Sequence, residues 1–163
     1  MSAVLKVSDV AVDSLRALLE QFQLSLEIQE GDEKIRGSFW GESEAGIIAT
    51  CVYVRSDTPI HSLLHETCHV ICMSPERRES LDKDAGGGDL EEAAVCYLQI
   101  LLADHIDKVG RVRLMQDMDS RGYSFRLGAT RRWFEEDADD ARAWLLAEGL
   151  IDESSCVRFR LRQ

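Results

Sequence analysis

The sequence predicts an α+β fold in which a small, three-stranded antiparallel sheet packs against helices. Three observations carry that expectation: a two-residue alternation beginning at Leu24, a β-branched run at 47–54, and capped stretches of helical periodicity on either side of them. Residues 8–23 place Val10, Val12, Leu15, Leu18, Leu19 and Phe22 close to helical spacing, and Ser8 or Asp9 can cap them. From Leu24 the period shortens. Leu24, Leu26 and Ile28 alternate with Ser25, Glu27 and Gln29, as a strand with one buried face requires. Glu30, Gly31, Asp32 and Glu33 make a turn, a second strand follows over 34–40, and the polar stretch from Gly41 to Gly46 turns the chain again. Residues 47–54 form the third strand, rich in β-branched and aromatic types.

Thr58 is placed to cap a helix whose first residue is Pro59, where the missing N–H costs nothing. That helix runs to Met73 and stops before Ser74 and Pro75, and a short polar helix follows over 75–83. Gly86, Gly87 and Gly88 are the most flexible point of the chain. Asp89 then caps a long apolar helix reaching His105, and further helices are expected over 109–119 and 130–148. The acidic run 135–140 reads as a solvated helix face or a junction, and 156–161 alternates like an edge strand with its arginines outward.

A chain of 163 residues with 45% apolar and 30% charged content is one domain's worth of material, with a core over 8–105 and a helical C-terminal extension over 106–163. Lys and Arg number 19 against 30 Asp and Glu, a net charge of −11 that would be repelled by phosphate backbones and anionic lipid. Nucleic acid and membrane surfaces are therefore not expected partners. No uninterrupted apolar run of about 18 residues is present, and the N-terminus lacks a basic region followed by an apolar core, so the expected location is the cytoplasm. The five cysteines (Cys51, Cys68, Cys72, Cys96 and Cys156) are odd in number, stand in apolar settings and include no CxxC pair, which suits reduced thiols.

Chemistry concentrates in one helix. Three of the four histidines, His61, His65 and His69, fall within nine residues, and His65-Glu66-Thr67-Cys68-His69 is an HExxH pattern. At 3.6 residues per turn, His65 and His69 project from one face about 6 Å apart, so both imidazoles can reach a single cation. Glu66 is rotated about 100° from His65, beside the cation, where it can take a proton from a water there. Leu63, Leu64, Val70 and Ile71 lie on the opposite side. His61 and His69 are about 12 Å apart along the axis and cannot both bind one ion, so His61 belongs to the cleft wall. Cys68 and Cys72 read as core thiols, with a Cys/His structural zinc as the alternative.

A hydrolytic zinc site wants a third protein ligand and one open position. Glu92 stands in the one polar stripe of the next long helix, shared with Gln99 and surrounded by Leu90, Ala94, Tyr97, Leu98, Leu101 and Leu102. Two alternatives stay open: Glu91 as the ligand, or Glu92 serving only a capping box with Asp89. His105, Tyr123 and the arginines are candidates for an electrophile toward a developing oxyanion.

Helix, three strands, an HExxH helix and then a helix opening Glu91-Glu92-Ala93-Ala94 resembles the minimal gluzincin metallopeptidases, especially those of the ImmA/IrrE type, over about residues 8–105. The resemblance implies a zincin-like fold, zinc held by His65, His69 and Glu92, and Glu66 as general base. It departs at Ala94 and Cys96, where that family carries Asn and an aromatic. A second likeness is to the bacterial elongation factor P hydroxylases, whose HExxH is followed by Arg-Arg-Glu-x-x-Asp; here Arg77-Arg78-Glu79-Ser80-Leu81-Asp82 stands at a similar distance. That likeness implies iron(II) and an oxidative reaction, whereas the plain reading of Arg77 and Arg78 is a solvated short helix. The function expected is thus a zinc-dependent, metallopeptidase-like hydrolase acting on a peptide or protein, with the Gly86–Gly88 loop beside its cleft. The alternatives are an iron-dependent side-chain hydroxylase and a non-catalytic regulator that retains a metal site.

Overall fold

The computed structural model describes residues 3–38, 43–81 and 87–163. Its architecture is α+β, with three strands and seven α-helices among the described residues. The strands are β1 (Ser25–Gln29), β2 (Gly46–Ile48) and β3 (Cys51–Arg55), in the order β1-β3-β2. The sheet is mixed rather than antiparallel: β3 runs parallel to β1, with Leu26 opposite Val52 and Ile28 opposite Val54, and antiparallel to β2, with Ile47 opposite Val52. The strands alternate in direction as a meander would, but β3, the strand richest in β-formers, takes the centre and bonds to both neighbours.

Two sequence expectations give way here. The run 47–54 is not one strand. It folds back at Ala49, whose φ of +54° closes a tight turn between β2 and β3. The expected strand over 34–40 is a loop as far as Ser38, and Trp40 lies outside the described residues. Gly37, at φ +69°, presses so closely on β2 that a Cβ there would stand 2.5 Å from the Ile47 carbonyl oxygen, and Ile47 N–H donates to the Gly37 carbonyl. The loop backbone therefore meets the β2 edge directly, with no strand register of its own.

The helices follow their apolar spacing, with shifted ends. A 3-10 turn at Val7–Asp9 precedes α1 (Val12–Glu20), because the Asp9 carboxylate accepts from the Lys6 N–H and closes a local turn instead of capping a helix. The HExxH helix α2 spans Ile60–Cys72 with Pro59 as its cap, since the Thr58 hydroxyl is engaged by the Arg55 N–H at 2.9 Å. Short α3 (Pro75–Glu79) is capped by Ser74. In α4 (Asp89–Ala103) the cap is Gly88, and Asp89 is the first helical residue. The expected helix over 130–148 is two, α6 (Thr130–Glu136) and α7 (Asp139–Ala147), preceded by α5 (Gly110–Ser120), and the acidic run is the junction between them. The tail over 156–161 is no strand. It makes one bridge, Ile151 to Val157, and continues to Arg162, whose N–H donates to the Ile71 carbonyl at the end of α2.

One buried cluster extends from Val7 through α1, the sheet, α2 and α4 to Leu145 and Ile151, so the helices after residue 105 share the same core. Helix α4 lies at its centre, against α2 on one side and α5 and α7 on others. No helix among the described residues is long and apolar enough to cross a membrane. Leu98, fully buried in α4, and Leu90, 44% exposed on the same helix, give a direct check on this packing. Leu98→Ala should lower unfolding free energy in denaturant titrations by about 2–5 kcal/mol, and Leu90→Ala by less than about 0.5 kcal/mol.

Candidate metal centre

Helix α2 is buried along its whole length except at two residues, His65 and Glu66, which are only partly covered. Across from them α4 presents Glu92 in its first turn. The packing of the two helices brings His65, His69 and Glu92 together, with one donor atom from each within 4.8 Å of the others. The two Nε2 atoms are 3.2 Å apart, and the Glu92 carboxylate oxygens stand 2.9 Å from His65 Nε2 and 3.1 Å from His69 Nε2. Ligands at about 2.0–2.1 Å around one tetrahedral ion are separated by about 3.3–3.4 Å. Two imidazole nitrogens and one carboxylate at these spacings therefore fit a single zinc-sized cation. The capping box of Asp89 and Glu92 is absent, because the Glu92 side chain is turned to the histidines.

Behind His65 stands a supporting residue that the sequence marked only as sharing the polar stripe of α4. Gln99, fully buried, donates from Nε2 to the His61 carbonyl at 3.2 Å, which leaves its Oε1 to accept from His65 Nδ1–H at 2.7 Å. A carbonyl can only accept, so this pair of bonds orients the amide and keeps a proton on His65 Nδ1, which leaves Nε2 as the nitrogen that donates to Glu92 here and would face a cation. Burial works against charge on Glu92, yet the hydrogen bonds from His65 and His69 hold its carboxyl below the usual carboxylate range. Burial likewise disfavours a charged His65, but neighbouring Cys96 and Glu92 outweigh it and lift the imidazole well above its ordinary value.

Glu66 faces a pocket of about 270 Å³ together with His61, His65, Arg121 and Tyr123. Burial raises its carboxyl, and the nearby His69 and His65 pull it back only in part. The Tyr123 ring stands edge-on to His61 and His65, with centroids at 5.4 and 5.7 Å, and its hydroxyl is 3.1 Å from His61 Nδ1. Of the electrophile candidates, Tyr123 and Arg121 reach the site and His105 does not. It lies past the end of α4 and packs edge-on against Phe159. His61 lines the pocket wall, as its distance from His69 required.

The neighbouring carboxylate is a different object. Glu91 is 7% exposed and receives a two-pronged salt bridge from Arg77, at 2.9 and 2.8 Å, with Arg162 at 3.4 Å. It is not turned to the histidines, which removes it as the third ligand. Arg77 and Arg78 are not a solvated face either: Arg78 donates to the carbonyls of Val70, Met73 and Arg162, closing the C-terminal end of α2. Asp82 and Gly86 lie outside the described residues, and Gly87, at φ +96°, packs against the Glu91 carboxylate. Cys68 and Cys72 are fully buried thiols whose ionisation burial opposes, and neither joins the ligand group.

Replacing Gln99 with Leu should weaken zinc binding roughly 10- to 100-fold in competition titrations, with the fold retained, because the orienting bond to His65 is lost. A second outcome concerns pH. Burial, aided by Arg121, pushes His61 from 6.5 down to about 4. As pH falls from 6.5 toward 4 the unfolded chain takes up a proton that folded His61 refuses, so His61 alone should withdraw roughly 3 kcal/mol from the stability of the metal-free protein across that window. His65, held above 6.5, is charged in both states there and adds no slope. Denaturation curves of His61→Gln at several pH values should show a flatter dependence.

No protein-family model, no curated protein and no solved structure matches this chain, and the site's own chemistry is what speaks to its function.

Proposed function

We propose that the protein is a zinc-dependent hydrolase that acts as a metallopeptidase on a peptide or protein substrate. The observation that carries this reading is the closure of His65, His69 and Glu92 on one point, with Glu66 lining the pocket beside it. The likeness of the HExxH and Glu-Ala-Ala segments to the minimal gluzincins points the same way. Bound there, zinc would supply a water with its pKa lowered toward ~7 and a Lewis acid for the scissile carbonyl.

The remaining steps belong to the chain's own residues. Glu66 carries a carboxyl raised by burial, which suits a group that takes a proton and gives it to the leaving amine. Tyr123, with a phenol kept protonated by burial, can donate a hydrogen bond to charge developing on the carbonyl oxygen. Gln99 holds His65 in the tautomer that presents Nε2. Iron(II) suits the same donor set, and in the segment that resembles the hydroxylases Arg77 holds Glu91 and Arg78 the end of α2.

Elemental analysis of the protein purified without added metal should find one zinc per chain, and none in His69→Ala. Glu66→Gln should keep its zinc while cleavage of a degenerate peptide library, followed by mass spectrometry, falls roughly 10²- to 10⁴-fold. Undiminished cleavage by Glu66→Gln, or oxygen consumption on anaerobic iron loading followed by air, would overturn the assignment.

A further inference from the structure

A second pocket, of about 290 Å³, opens beside Glu92. Asp89, Glu92, Ala93 and Cys96 of α4 form one wall, and Tyr123, Phe125 and Trp133 supply its aromatic surface. Tyr123 belongs to both pockets, so it divides them. A chain laid across Tyr123 from one pocket to the other would pass from His65, which lines the first, to Glu92, which lines the second.

The two pockets differ in chemistry. The one beside Glu66 is walled by Ser43, Glu44, Ser62 and Arg121 as well as the histidines, which is a surface for polar groups. The other is aromatic. Trp133 is 6% exposed and is stacked on Phe125 at 4.4 Å with 21° between the planes, while Tyr97 meets it edge-on at 6.4 Å. Rings locked by their neighbours make a pocket that exists before any ligand arrives, and such a cavity binds apolar groups without first reorganising. Its volume is at the low end for ligand pockets, the size for one side chain rather than a length of strand.

We infer that this aromatic-walled pocket is a subsite for one large apolar side chain of the peptide substrate, next to the bond that is cut. The inference rests on the peptidase reading and adds to it the substrate class: a segment carrying a bulky apolar residue on the Glu92 side and a polar one on the Glu66 side. Recognition comes from burial of the apolar side chain against Tyr123, Phe125 and Trp133.

The test uses the full chain, with and without zinc, and two probes, N-acetyl-phenylalaninamide and N-acetyl-glycinamide, followed by NMR shifts and tryptophan emission. The phenylalanine probe should bind roughly tenfold or more tightly than the glycine probe, from the area of its ring that is buried. It should change emission in the native chain and not in Trp133→Phe. Ala93→Phe, which fills the pocket from α4, should abolish the discrimination, and Ser124→Trp, at the exposed rim, should do the same if the first variant folds poorly. Equal binding of the two probes, or a preference that survives both substitutions, overturns the inference. Zinc bound without discrimination would sink the subsite and leave the peptidase reading standing, whereas discrimination in a chain that takes up no zinc would do the reverse.

Discussion

Everything in the site depends on Glu92 being held between the imidazoles of His65 and His69. Three polar groups meet there at the seam between α2 and α4, the two helices with the most extensive mutual packing around the core. Leu63, Leu64, Val95 and Leu98 are fully buried in these helices, and their packing sets how closely the backbones approach. The spacing of the ligands is therefore a consequence of apolar burial. A carboxylate and two imidazoles drawn into such a seam lose hydration, and a shared cation is the partner that best repays that loss.

The site was legible where one helix carried it and illegible where it crossed between elements. His65, Glu66 and His69 announce themselves because an i, i+4 pair must share a face whatever the tertiary structure. Glu92 was distinguishable as a polar residue in an apolar helix, but its competition with Glu91 turns on a helical rotation of about 100° that only the packing of α4 settles. The sequence offered no ground for choosing Tyr123 over His105, since its approach depends on how α5 and the turn after it fold back. Gln99 did leave a trace, as the other polar residue of the same stripe, and fully buried amides generally have work to do.

The fold shows the same division. Alternation identified β1, and β-branched composition identified β3, but strand order is a property of pairing that neither pattern encodes. The single stretch 47–54 concealed a hairpin because Ala49 takes a left-handed conformation that its residue type gives no cause to expect. Helix ends moved by a residue or more wherever a capping side chain found another bond, as Thr58 and Asp9 both did. Arg77 and Arg78 looked like surface charge for want of any local sign that Glu91 and three carbonyls would meet them.

The tail reaching back to α2 has a consequence for the order in which the molecule is made. Arg162 donates to the Cys72 carbonyl across 90 positions, and its own carbonyl accepts from Arg78. A ribosome must thus emit the chain as far as Arg162 before the last turn of the histidines' helix is secured. Contacts of such long sequence separation form late and slowly. During synthesis the nascent protein passes through an interval in which its histidines are outside the tunnel but the end of their helix is not yet tied down by Arg162.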